Sequence, residues 1–164
     1  MIGKKDVLGI AMAIFVVSSS ISINLLTIDH GIDISYKVVL DSTHARIEDA
    51  RTLVITDNET WYELWLEIYH VNGPPPPILY VNFTNEWLIV VSLGTRNHGG
   101  YVLNITSITR ALLCYKVFYI EIDYGGGTMS ETYPLQVAKV TGSPADLPVS
   151  FFYTYSGPVI IPET

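Results

Sequence analysis

The residues best suited to binding chemistry lie in a polar loop between two apolar segments, residues 87–93 and 101–108. The ionisable side chains of this loop are Arg96 and His98. An arginine donates directional hydrogen bonds to carboxylate or carbonyl groups, and a neighbouring tyrosine adds a rigid aromatic contact. Glycines let the backbone turn or approach a partner closely. We therefore predict a partner-binding loop that comprises Gly94, Arg96, Asn97, His98, Gly99, Gly100 and Tyr101. The alternative is a solvated loop tip.

Other segments contain residue types found in catalytic sites, but simpler interpretations account for them. Residues 41–44 include Asp, Ser and His, yet a hydrolytic triad is defined by spatial geometry, so we interpret them as a turn. Residues 125–128 are glycine-rich but lack the Lys-Ser/Thr ending of a phosphate-binding loop. Glu121 and Asp123 alternate along a predicted strand, where we expect a hydrated edge.

Metal-ligand spacing is also absent from the sequence, because the histidines are scattered at His30, His44, His70 and His98. We therefore expect a protein that is not an enzyme and that uses no metal and no cofactor.

The loop must be positioned by the apolar segments on either side of it. Residues 87–91 are apolar without alternation, which is typical of a strand covered on both faces. Residues 101–106 alternate between apolar and more polar types, so one face of that strand is expected to be wetter. Together residues 86–108 predict a β-hairpin with a long connection.

One amphipathic helix is predicted over residues 57–70. Thr56 and Glu59 have the spacing of a capping box. The apolar side chains that follow recur at i, i+3, i+4 and i+7, which aligns them on one helical face: Trp61, Leu64, Trp65 and Ile68. Four prolines at 74–77 end the helix and form a stiff connector.

Further extended segments are predicted at 35–40, 53–55, 78–83, 112–124, 133–141 and 149–155, with a register change near Lys116. The fold class is therefore α+β: one predominantly antiparallel β-sheet, sandwich-like or barrel-like, with the amphipathic helix packed on it and an N-terminal hydrophobic helix before it.

The order of several motifs resembles the C-terminal domain of PrcB, a non-catalytic subunit of a bacterial surface protease complex. The matching segments are residues 93–96 (LGTR), residues 99–102 (GGYV) and Tyr133-Pro134. Upstream, Trp61 and Trp65 and residues 81–83 (VNF) also match. The resemblance covers roughly residues 55–155 and implies a partner that is a protease or an assembly containing one. The chain differs at Asn97-His98, where the family more often has Pro-Thr.

The N-terminus carries a targeting signal. Lys4 and Lys5 precede an apolar run at 7–17, and small serines follow at 18–20. Extended to residue 26, this run is long enough to span a membrane, so it is either a signal peptide or a signal anchor. Both interpretations place the rest of the chain outside the membrane, as an exported, membrane-anchored or extracellular cell-surface protein.

The predicted organisation is a targeting segment at 1–26, a linker and first strand at 27–45, a β-rich domain at 46–156 and a tail at 157–164. Acidic residues outnumber basic ones, 16 to 9, so no nucleic-acid partner is expected. Three sequons are candidate glycosylation sites in an exported protein, at Asn58, Asn82 and Asn104.

Three functions fit these observations. The leading hypothesis is a cell-surface, non-catalytic protein-binding module that uses the 94–100 loop with the neighbouring 125–131 loop. The second is a protease inhibitor whose 94–100 loop enters an active site. The third is a self-assembling surface or filament protein, a homo-oligomer in which the 35–40 strand adds to a neighbour's sheet.

Overall fold

The computed structural model describes residues 31–70, 73–126, 129–144 and 147–158. These residues form eight strands and one helix, an α+β fold made mostly of strands, as predicted. In chain order the elements are β1 (Ile32–Asp33), β2 (Tyr36–Ser42), β3 (Arg51–Ile55), α1 (Asn58–Tyr69), β4 (Glu86–Ser92), β5 (Tyr101–Arg110), β6 (Tyr115–Asp123), β7 (Leu135–Thr141) and β8 (Val149–Ser156).

The strands form two four-stranded sheets, whereas the prediction was one sheet that is sandwich-like or barrel-like. Sheet I has the order β1-β5-β6-β8, and sheet II has the order β2-β7-β4-β3. Neighbouring strands are antiparallel except for β6 and β8, which are parallel. The last strand therefore ends at the same end of sheet I as β6.

The predicted hairpin of residues 86–108 is wrong. Strand β4 pairs with β3 and β7 in sheet II, whereas β5 pairs with β1 and β6 in sheet I. Side-chain periodicity identifies a strand but not its neighbours, and a strand buried on both faces needs a central place in its sheet. The connection at 93–100 consequently crosses from one sheet to the other.

Two hydrophobic cores lie on opposite faces of sheet II. Leu88 and Val90 of β4 pack in the cluster that contains the helix residues. Trp87, Ile89 and Val91 pack in the second cluster, against residues of sheet I. The expectation that this strand is covered on both faces is therefore confirmed, and the layers run helix, sheet II, sheet I.

Helix α1 covers the outer face of sheet II with the four apolar residues predicted to do so, Trp61, Leu64, Trp65 and Ile68, all buried. Trp65 donates from its indole to the Pro76 carbonyl at 2.9 Å, so the proline-rich connector folds against the helix. The predicted capping box is wrong by one residue. The N-cap is Asp57, whose side chain accepts the backbone N–H of Thr60 at 2.8 Å.

Strand β5 alternates as predicted, with Leu103 and Ile105 buried and Val102 and Asn104 exposed. The register change, however, lies in β5 between Ile105 and Ser107 instead of near Lys116. The face of β6 was also assigned incorrectly, because its buried side carries Glu121 and Asp123. The expectation of a hydrated edge at these carboxylates is wrong.

Other predicted segments fall at the borders of the fold. The 35–40 strand is β2, an edge strand of sheet II that continues through Ser42. The Ser42 hydroxyl accepts the backbone N–H of His44 at 3.1 Å, so the turn begins there. Residues 78–83 lie outside the strands. The predicted targeting segment and hydrophobic helix of residues 1–26 lie outside the described residues, and no helix within those residues is long and apolar enough to cross a membrane.

Candidate functional site

The 94–100 loop lies at the end of sheet I where β5 begins and β6 ends. A two-way backbone bridge fixes it to the segment before β7: the Arg96 N–H donates to the Thr132 carbonyl at 2.8 Å, and the Thr132 N–H donates to the Arg96 carbonyl at 2.9 Å. The Thr132 hydroxyl also donates to the His98 carbonyl at 2.9 Å. Three hydrogen bonds therefore hold the middle of the loop in place.

The side chain of Arg96 anchors the loop from within. Its Nε donates to Glu121 Oε1 at 2.7 Å and its Nη2 to Glu121 Oε2 at 2.9 Å, which makes a bidentate ion pair. Its Nη1 donates to the Leu93 carbonyl at 2.6 Å. Bidentate arginine–carboxylate pairs are directional and strong. Arg96 was predicted to bind a partner, but here its guanidinium is engaged inside the protein.

Glu121 is buried, and its environment favours the charged form. Burial alone would raise the pKa of the Glu121 carboxyl, but hydrogen bonds from Arg96 and Tyr153 outweigh that effect and hold the pKa below its usual range. The hydrogen bond with Glu121 in turn raises the pKa of Arg96. The ion pair therefore stays charged at neutral pH.

Tyr153 of β8 completes this pair. Its hydroxyl donates to Glu121 Oε2 at 2.6 Å. Burial and the hydrogen bond to the Glu121 carboxylate raise the pKa of Tyr153 to about 12, so the phenol remains a donor throughout the physiological range. The ion pair thus connects the loop, β6 and the edge strand β8.

His98 lies between an aromatic ring and a second buried carboxylate. Its ring stacks on Tyr101 with centroids 4.3 Å apart. Its Nδ1 accepts the backbone N–H of Gly100 at 3.1 Å, so in the neutral imidazole the proton is on Nε2. That Nε2 lies 3.7 Å from Asp123 Oδ1, an atom that also accepts the Gly125 N–H at 2.8 Å. His98 is thus oriented from both sides.

Two positions of the loop require glycine because another backbone segment passes close to them. Gly94 has φ +71°, and a Cβ there would lie 2.5 Å from the Glu48 carbonyl oxygen. A Cβ at Gly100 would overlap the carbonyl oxygen of Gly126. The Tyr124 N–H donates to the Gly100 carbonyl at 3.1 Å, which joins the loop to the end of β6. The backbone of the site is therefore closely packed.

The accessible part of the site is aromatic. Tyr153 and Tyr155 of β8 are 52% and 51% exposed, Tyr124 is exposed and Tyr101 is half-buried. Burial raises the pKa of the Tyr155 phenol, and the charge of Asp123 raises it further. We call Tyr101, Tyr153, Tyr155 and Asp123 the tyrosine patch.

The loop was predicted from the sequence as the candidate site, but the residues that hold it in place were not predicted. Thr132, Glu121, Asp123, Tyr153 and Tyr155 were not predicted to belong to the site. A signal was present for the carboxylates, because Glu121 and Asp123 occupy the same alternate positions of β6 as the buried Tyr115 and Val117. The loop residues Asn97 and Gly99 are exposed.

None of the three sequons includes a residue of this site. Asn58 is the first residue of α1, Asn82 precedes the turn into β4, and Asn104 lies on the exposed face of β5. All three residues are exposed. Each asparagine is therefore accessible to modification.

Within the part of the chain that the structure describes, no group of three or more His, Cys, Asp or Glu side chains is arranged to hold a metal ion. Comparisons with family models, curated proteins and solved structures found no significant match.

Proposed function

We propose that this chain is an exported, cell-surface, non-catalytic protein-binding module that contacts its partner with the 94–100 loop and the tyrosine patch. The observation that carries this proposal is the anchoring of the loop on the ion pair between Arg96 and the buried Glu121. A loop that is already ordered loses little conformational entropy on binding, and rigid aromatic side chains make efficient contacts.

The role of the loop residues follows from their contacts. Arg96 is a positioning residue, since its donors are engaged with Glu121 and the Leu93 carbonyl. The surface offered to a partner consists of Asn97, Gly99 and the neighbouring tyrosines. The resemblance to the PrcB C-terminal domain suggests that this partner is a surface protease or an assembly containing one, and the apolar N-terminal segment suggests attachment to a membrane.

The test is crosslinking capture from native membranes with the full chain as bait. In the variant Asn97→Lys, a charged side chain replaces an exposed amide at the loop. The matched control is Asn85→Lys, the same change at an exposed residue beside the opposite end of β4. We expect wild type and control to capture one specific protein and Asn97→Lys to lose it. Equal capture by all three would place the binding surface elsewhere.

Protease activity in the captured material separates an accessory role from an inhibitory one. An accessory module leaves the activity of a captured protease intact. Loss of activity on adding the purified chain would instead support the inhibitor alternative.

Self-assembly by strand addition is a second candidate because both sheets have exposed edges. The edge strand β2 carries Lys37, Asp41 and a register shift, features that discourage addition of another strand. The edge strand β8 (VSFFYTYS) has no charged residue. Strand β8 is therefore the better candidate for self-assembly. This alternative would be supported if the bait captured only further copies of the same chain.

A further inference from the structure

The tyrosine patch is formed by one face of three neighbouring strands. Tyr101 of β5 is opposite Asp123 of β6, and Tyr155 of β8 is opposite Glu121 of β6. Alternate residues of a strand share a face, so Tyr153 lies on this face as well. The carboxylate of Asp123 therefore has an aromatic ring on the strand at each side of β6.

The two carboxylates at this end of β6 differ in the groups that compensate their negative charge. Glu121 is paired with the guanidinium of Arg96. Asp123 instead accepts the backbone N–H of Gly125 and faces Nε2 of His98. Within the described residues no guanidinium or ammonium pairs with Asp123, so the patch keeps a net negative charge when His98 is neutral.

The negative charge of Asp123 affects the neighbouring phenols of Tyr101 and Tyr155. Burial raises the pKa of Tyr101 and of Tyr155, and the charge of Asp123 raises both pKa values further. The faces of aromatic rings attract cations, and the attraction strengthens beside a carboxylate. The site already contains one example, because the Arg96 guanidinium carbon lies 5.7 Å from the centroid of the Tyr101 ring.

We infer that the tyrosine patch binds an arginine side chain presented by the partner protein. A guanidinium can stack on tyrosine while donating to a carboxylate, whereas a lysine offers only a point charge. The formal charge of −7 on the whole chain would also attract a basic segment. This inference rests on the proposed function and names the partner's chemistry at the same site. It replaces the sequence-based expectation that Arg96 donates to carboxylate or carbonyl groups of the partner.

The probe for this inference is a short capped peptide, Gly-Gly-Arg-Gly-Gly, titrated into the full chain in detergent and followed by NMR shifts at the patch. The control peptide has citrulline in place of arginine, which keeps the shape and removes the charge. We expect saturable shifts at Tyr155 and Asp123, and affinity about tenfold weaker for the citrulline peptide. Equal affinity for the two peptides, or shifts confined to other regions, would overturn the inference.

Two variants test the residues named. Asp123→Asn removes the charge, and Tyr155→Leu removes an exposed ring of the edge strand without touching the Arg96–Glu121 pair. Each should weaken binding of the arginine peptide several-fold, while Tyr80→Leu, at a tyrosine that is 80% exposed outside the patch, should leave it unchanged. If Asp123→Asn disturbs folding by circular dichroism, Tyr155→Leu decides the question. Unchanged affinity in a folded variant contradicts the inference.

Capture from native membranes separates this inference from the proposed function. A partner that is lost by Asn97→Lys but retained by Asp123→Asn and Tyr155→Leu would support the binding module and contradict arginine recognition. Binding of the arginine peptide at the patch, with no specific partner captured by wild type, would support arginine recognition and contradict the proposed function.

Discussion

At the scale of single residues, the most informative contact is the ion pair of Arg96 and Glu121. A buried carboxylate without a partner is costly, and a bidentate guanidinium removes most of that cost. The backbone of Arg96 also forms a β-bridge with Thr132, which fixes the loop. Arg96 therefore both pairs with the buried carboxylate of Glu121 in the sheet and holds the candidate binding loop in place.

Replacing the carboxylate tests this pair. Glu121→Gln keeps the shape but removes the charge, so we expect a loss of about 2 kcal/mol in the free energy of unfolding at pH 7, measured by urea denaturation. The control Glu67→Gln removes the charge from an exposed pair with Arg51 and should cost less than about 1 kcal/mol. Equal losses in the two variants would contradict a special role for Glu121.

The difference in the free energy of unfolding between wild type and Glu121→Gln should depend on pH in a definite direction. The folded-state pKa of Glu121 is lowered, so its stabilising contribution is present above the unfolded carboxyl pKa of about 4.3 and is lost as the pH falls through the folded value. The difference in stability between wild type and Glu121→Gln should therefore shrink on acidification below about pH 4. A difference that stays constant down to strong acid would contradict the charge assignment.

At the scale of elements, the 94–100 loop depends on close contact between two backbones. Gly100→Ala would bring a Cβ against the Gly126 carbonyl oxygen, so the loop must shift. The matched variant is Gly126→Ala, on the opposite side of the same contact, where an added Cβ meets no atom of the described residues within 4 Å. We expect Gly100→Ala to lower the melting temperature and to weaken partner capture, and Gly126→Ala to change neither. Tolerance of both substitutions would show that this approach is not required.

The elements differ in how far the sequence determines them. Helix α1 was predictable because its buried face repeats at helical spacing, and its start shifted by one residue because Asp57 competes with Thr56 for the cap. Strand β4 was predictable because it lacks alternation. Its neighbours were not, since pairing with β3 and β7 depends on segments distant in the chain.

The candidate site shows the same limit. The loop could be predicted from its glycines and polar residues, which are contiguous. The carboxylates of β6 were assigned to the wrong face although they share alternate positions with the buried Tyr115 and Val117, because the partner that compensates Glu121 is an arginine 25 residues earlier in the sequence. A prediction from periodicity assigns polar residues to the exposed face of a strand. The assignment is wrong when a partner distant in the sequence pairs with those residues and allows them to be buried.

At the scale of the whole molecule, the layers place the candidate site away from the helix. Sheet II is covered on both faces, and sheet I carries the site at the end where β6 and β8 both terminate. The parallel pairing of β6 with β8 brings Tyr153 and Tyr155 beside the two carboxylates. In the proposed function, this end of sheet I, with its loop and tyrosines, is the surface that contacts a partner.

The most direct test of this account is native-state hydrogen exchange of the loop amides, followed by NMR. The central claim is that the loop is ordered before any partner binds. We predict that the amides of Arg96 and Thr132 exchange as slowly as those of the sheet strands, and that Arg96→Met accelerates both while leaving β4 and β7 protected. Rapid exchange of the Arg96 and Thr132 amides in the wild-type protein would contradict a preorganised loop.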